Sequence, residues 1–149
     1  MTFEEIIKRG VPGAKLSIED TDFRIDSVEK IRLASGDRLL WMWSNDGSWL
    51  VVDEDGDELI MLAQAEEQVE EDESEYATYR GDSYEQVGED EGEMVGCEGE
   101  GEHEEGDTFS VVQYDGSRSQ VLRKLTWKGY GEEVWFSGKM LEEVDVREA

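Results

Sequence analysis

The sequence predicts an all-β fold: a barrel or sandwich of two meanders, with a short N-terminal helix and acidic loops. Three observations predict it. Apolar and polar residues alternate over much of the chain, as on strands with one buried face. Asp-Gly and other glycine-bearing turns separate these runs at short, regular intervals. There is a single proline, and only one segment has helical spacing. The 149 residues suit one ordinary domain. We divide residues 1–149 into a front meander over 11–63, an acidic middle segment over 66–107 and a back meander over 108–147.

The helical segment comes first. Thr2-Phe3-Glu4-Glu5 is a capping box, in which the Thr2 hydroxyl accepts from the Glu5 N–H and the Glu5 carboxylate reaches back. Gly10 suits a left-handed C-cap and Pro12 prevents continuation. This predicts about two turns, Phe3 to Arg9, with Phe3, Ile6 and Ile7 on the apolar face. So short a helix must dock on something larger to be stable.

The period then changes to two. Leu16 and Ile18 alternate with Lys15, Ser17 and Glu19. Phe23 and Ile25 form one alternating pair, and Ile31 and Leu33 another. Val28 falls out of phase with both, which predicts a bulge or turn near Asp26–Glu29. Strands follow over Arg38–Ser44, Ser48–Asp53 and Glu58–Leu62, separated by Asn45-Asp46-Gly47 and Asp55-Gly56-Asp57. Leu39, Trp41 and Trp43 share one face, and Leu40 and Met42 share the other. Trp43 and Trp49 flank a tight turn and should meet as a cross-strand pair. Both faces of this hairpin are apolar, so something must cover the second. The helix and the back half are the candidates. In the back half, Thr108–Tyr114, Gln120–Trp127, Glu133–Phe136 and Glu143–Arg147 are predicted strands.

Charge is concentrated in the middle. Forty acidic residues face 14 basic ones, for a net −26. Between Glu66 and Asp107 there are 19 acidic residues and one basic residue, Arg80. The runs Glu66–Glu75 and Glu98–Asp107 are low in complexity and predict solvated, mobile loops. The segments between them, containing Tyr76, Tyr79, Tyr84, Val95 and Cys97, predict short strands. Such a charge argues against an electrostatic grip on nucleic acid or anionic lipid. The longest apolar run, Leu39–Trp43, is far too short to span a bilayer. The N-terminus lacks the basic-then-apolar layout of a signal peptide. A cytoplasmic protein without membrane insertion or direct nucleic-acid binding is the resulting expectation.

The layout resembles a bacterial family called domain of unknown function 4178. The likeness rests on the opening strands over Val11–Leu33 and on Leu40-Trp41-Met42-Trp43, followed across a hairpin turn by Trp49-Leu50-Val51-Val52. It continues through Gly106-Asp107, Gln113-Tyr114-Asp115, Val121-Leu122, Glu133, Phe136 and Gly138-Lys139. One departure is that Arg123-Lys124-Leu125 follow Leu122, where the family tends to carry an acidic residue. The resemblance implies an all-β fold, no established catalytic residues and a neighbourhood of bacterial membrane-stress genes.

Few constellations support chemistry. Asp53–Glu58 imitates a calcium loop, but with Gly56 at position six the first and twelfth positions are Val51 and Leu62, which donate no oxygen. Asp46-Gly47 fails in the same way. Cys97 and His103 are the lone thiol and imidazole. The surrounding Glu98, Glu100, Glu102 and Glu104 disfavour a thiolate, so a partly buried strand Cys and a solvated loop His are expected. With forty acids, proximity of carboxylates carries no information. The Gly-x-Gly stretches are flanked by Glu and would repel phosphate. No catalytic residue, metal ligand or cofactor is predicted.

Trp41, Trp43, Trp49, Trp127 and Trp135 remain, either as core or as candidate partner-binding residues. The leading functional reading is a non-catalytic module that binds a protein partner. One alternative is an acidic mimic of nucleic acid that occupies a basic partner. The other is a small-molecule binder or enzyme of unrecognised type. An exposed Trp patch would favour the first, a rigid row of carboxylates the second, and a deep pocket holding a buried carboxylate the third.

Overall fold

Thr2 caps the first helix, α1 (Phe3–Arg9), as its sequence requires. Its hydroxyl accepts from Glu5 N–H at 3.2 Å, and its own N–H donates to the Glu5 carboxylate at 3.2 Å. Gly10 follows, but with φ −72°, outside the left-handed region. A Cβ there would stand 2.6 Å from Met42 Cε and 2.9 Å from Leu40 Cδ2, so these two side-chain ends would have to shift to admit a larger residue.

In this computed structural model residues 1–56, 58–72, 74–101 and 103–149 are described. Asp57 of the predicted Asp55-Gly56-Asp57 turn, Glu73 of the first acidic run and Glu102 beside His103 lie outside them. The strands are β1 (Lys15–Ile18), β2 (Thr21–Arg24), β3 (Ser27–Leu33), β4 (Arg38–Trp43), β5 (Ser48–Asp53), β6 (Leu59–Gln64), β7 (Glu70–Glu71), β8 (Tyr76–Tyr79), β9 (Asp82–Gly99), β10 (Thr108–Asp115), β11 (Gln120–Trp127), β12 (Glu132–Met140) and β13 (Val146–Glu148). Eight of them close an antiparallel barrel in the order β3-β4-β5-β6-β12-β11-β10-β9 and back to β3. Closure removes the open edges that a meander sheet would leave.

The alternation read in the sequence sorts residues between the inside and outside of this barrel. Trp41, Trp49, Val51, Leu62, Phe109, Leu125, Trp127 and Phe136 fill the interior. Trp43 lies opposite Trp49, with stacked rings 4.7 Å apart at 11°. Leu40, Met42, Leu50 and Val52 point outward into a second core with Ile6, Leu16, Phe23 and Val146. The second face of the Trp hairpin is therefore covered by α1 and the small sheet β13-β1-β2. A third cluster forms where β7 and β8 fold over the outside of β10 to β12. Tyr79, Tyr84, Tyr114 and Leu122 pack there with Trp135. Tyr114 Oη donates to Glu71 at 3.0 Å, and Lys124 Nζ donates to the same carboxylate at 3.0 Å.

Several expectations change. The bulge or turn expected near Asp26–Glu29 is a break at Ile25–Asp26, where the chain leaves β2 of the small sheet for β3 of the barrel; no bulge interrupts β3, whose register with β4 is continuous from Ser27 to Arg32. Val28 is out of phase because it faces the second core. Residues Glu143–Asp145 form a 3₁₀ turn, and only Val146–Glu148 pair as a strand. In the acidic segment the strands expected between the two runs are present but longer and joined. Much of it is β9, an 18-residue strand that pairs successively with β8, β10 and β3. The register with β10 skips Val87 and that with β3 skips Val95. Both valines are exposed. At these irregularities the strand can bend and pass from one partner to the next.

Candidate functional site

The barrel has two mouths. In an antiparallel meander alternate turns lie at opposite ends, so the β4–β5 turn opens on one mouth and the β3–β4 and β5–β6 turns on the other. Trp41, Trp49, Phe109 and Trp127 pack edge-on or tilted between them, with centroids 4.6–6.1 Å apart.

At the β4–β5 mouth a cavity of about 300 Å³ is walled by Trp43, Trp127, Val134 and Phe136. Into it projects Glu29. This residue shares the inward phase of β3 with Ile31, and it is 2% exposed. Trp43 Nε1–H donates to Glu29 Oε1 at 2.5 Å. Burial pushes the Glu29 carboxyl up to about 7; the Trp43 bond opposes the shift, and the Asp107 carboxylate adds to it. Near neutral pH this group is therefore divided between its protonated and ionised forms.

His103 closes one side. Its ring stacks on Trp127 at 3.9 Å and 14°, and meets Tyr130 edge-on at 5.4 Å. Its Nδ1 is 3.9 Å from Glu29 Oε2, within reach of an ion pair when the imidazole is protonated. The 100–107 loop that carries it is anchored at both ends. Glu100 N–H donates to Asp26 O at 3.2 Å, and Gly106 N–H to Met94 O at 2.8 Å. Gly99 makes the turn with φ +88°, where a Cβ would also lie 2.4 Å from Asp26 O. The Asp107 carboxylate accepts from Glu104 N–H and from Tyr130 Oη. That bond raises the Tyr130 phenol above its ordinary value. His103 is thus not the solvated loop residue its surroundings suggested.

The arrangement can receive a positively charged group. A buried carboxylate supplies charge at the floor, Trp43 supplies an aromatic surface, and Glu100 and Glu132 line the same cavity. Cys97 lies opposite Glu29 in the β3–β9 register but is exposed, and it does not line the cavity. Among the described residues no cluster of His, Cys, Asp and Glu is arranged to hold a metal.

The five tryptophans do not form a surface patch. Trp41, Trp49 and Trp127 are buried inside the barrel, where no partner can touch them. Trp43 is partly buried at the mouth described above, and Trp135 is partly buried on the outside against Tyr114 at 5.6 Å. Sequence reasoning named no carboxylate. Glu29 was nonetheless legible as the one charged residue in phase with Ile31 and Leu33. His103 left no such signal, because a loop and not a strand period brings it to Trp127.

No curated protein and no solved structure matches the chain. A family model described as Domain of unknown function (DUF4178) matches residues 11–143. With most of its length matched, including every barrel strand and the Glu29 mouth, the chain belongs to the DUF4178 family.

Proposed function

We propose that the domain is a non-catalytic protein-binding module that takes a lysine or arginine side chain of its partner into the Glu29 mouth. The observation that carries this reading is a 2%-exposed carboxylate hydrogen-bonded to Trp43 at the floor of an aromatic cavity. A basic side chain would neutralise Glu29 and lie against Trp43, gaining charge pairing and cation–π contact together. The net −26 of the chain steers a basic partner toward the domain. A link to membrane-stress systems rests on the family resemblance alone and adds no residue to this reading.

Mimicry of nucleic acid is less well supported. Glu89, Glu91 and Glu93 alternate along β9 as a rigid row, but Glu91 pairs with Lys128 and Glu93 with Arg32. A row so neutralised presents little of a phosphate backbone's charge.

Titration with N-acetyl-lysine amide and N-acetyl-arginine amide, followed by tryptophan fluorescence, tests the proposal. Saturable quenching is expected, with the neutral N-acetyl-leucine amide inert. Glu29→Gln should weaken binding at least tenfold. A featureless titration, or an unchanged response in Glu29→Gln, would overturn the reading.

A further inference from the structure

We propose that the free edge of β2 is a self-complementary docking surface for a second copy of this chain, the two β2 strands pairing antiparallel across a twofold axis. β2 is an outer strand of the small sheet β13-β1-β2. Its register with β1 opposes Ile18 to Thr21 and Leu16 to Phe23 across the Glu19-Asp20 turn. A two-residue turn makes the first of these a hydrogen-bonded pair, and such pairs alternate along an antiparallel ladder. The backbone groups of Thr21 and Phe23 therefore face β1, and those of Asp22 and Arg24 face away from it. Among the described residues no main-chain hydrogen bond is made on that side by Asp22 or Arg24. The next residue in the same phase is already paired, since Asp26 N–H donates to Trp43 O at 2.8 Å. An unpaired strand edge is a template for another strand.

Charge decides which strand. Pairing about Phe23 sets Asp22 against Arg24 of the second copy, and Arg24 against its Asp22. These are the two residues whose backbone groups are free, so the hydrogen-bonding register and the charge register coincide. Both are exposed, while Phe23 points the other way into the second core and is 3% exposed. Arg24 holds Asp26 through Nε at 3.2 Å with its side chain 65% exposed, which leaves its terminal N–H groups to a carboxylate. Opposite charges directly across a ladder are favourable. The other outer strands lack this match. The Met1 ammonium caps β13 by donating to Val146 O at 2.7 Å, and self-pairing of β7 would set Glu70 against Glu71. Each chain carries a net −26, but at 0.15 M salt the screening length of about 8 Å damps that long-range repulsion more than it damps residues about 5.5 Å apart across a ladder. An edge of four residues is far smaller than a stable interface, so the dimer is weak and reversible.

Sedimentation equilibrium of the full chain in 0.15 M sodium chloride, at concentrations rising to about 1 mM, tests the proposal. The mass should climb toward that of a dimer. Asp22→Arg and Arg24→Asp each oppose like charges and should each weaken association at least tenfold. Mixed in equal amounts they should restore it, because every cross-strand pair is then opposite again. In the unaltered chain, amide exchange at Asp22 and Arg24 should slow about twofold where half the chains are paired, because a paired amide must open before it exchanges. The proposal is overturned if the chain stays monomeric, which leaves the edge to an unlike strand. It is equally overturned if either variant associates normally, if the mixture stays monomeric, or if a dimer forms with both amides unprotected. If a variant does not fold, amide exchange in the unaltered chain decides.

Discussion

Glu29 gives the clearest consequence at the scale of one residue. Its carboxyl titrates near 4.5 in the unfolded chain and about 7 in the folded one. Between those values the native state holds more protons, so this group's contribution to stability falls as pH rises from 4.5 through about 7. At pH 8 the buried, ionised carboxylate costs up to about 3 kcal/mol relative to its protonated form. Glu29→Gln keeps an acceptor for Trp43 and removes the ionisation. Urea unfolding should therefore show the variant gaining on the parent between pH 5 and pH 8 by that order. The same gain at both pH values would show that ionisation of Glu29 is not what matters. Binding should have the opposite dependence. A basic side chain needs the ionised form, so affinity should climb with pH through about 7.

Among elements, those read best were the ones whose partners lie next to them in sequence. The Trp hairpin was legible because Asn45-Asp46-Gly47 fixes the turn and the period-two pattern then fixes both faces. The start of the helix was legible from Thr2 and Glu5, and its end from Gly10 and Pro12. The acidic segment was legible only in part: short strands were expected around Tyr76, Tyr84 and Val95, but not one strand running on through Glu89, Asp90 and Glu91, whose Glu and Gly content describes a solvated loop. It is held there by β10 and by the distant β3, and a backbone ladder is indifferent to side-chain charge. Gly92 shows why the composition misled. A Cβ there would come within 2.7 Å of Phe109 and 2.8 Å of Arg32 O, so this glycine permits packing and does not signal flexibility. The 100–107 loop was misread for the same reason, since its role comes from His103 resting on Trp127. Replacing residues 99–106 with a four-residue Gly/Ser linker should lower the melting temperature and expose Trp127 to a fluorescence quencher. An unchanged melting temperature would mean that the loop is a passive cover.

For the whole molecule, charge sets the response to solvent. A net −26 on 149 residues is self-repulsive, and the screening length of about 8 Å at 0.15 M salt shortens that repulsion. Salt also weakens surface pairs such as Lys128–Glu91, but exposed pairs contribute only about 0–1 kcal/mol each. Repulsion should dominate, so the melting temperature should be higher in 0.5 M than in 20 mM sodium chloride; a flat or falling trend would show the charges to be locally compensated. Strand β9 bears on how the chain reaches this state. The pairs within β3 to β6 and within β10 to β12 are closed by short turns and can zip up locally. The seam between β3 and β9 brings Ser27 against Gly99, and the seam between β6 and β12 brings Leu62 against Gly138. Those long-range closures carry the entropic cost of tying distant parts of the chain together, which slows folding. The barrel is therefore two locally assembled halves fastened at two late seams. Its most acidic strand is one of the clasps, and the repulsion along it acts on the rate of closure as well as on the stability of the closed form.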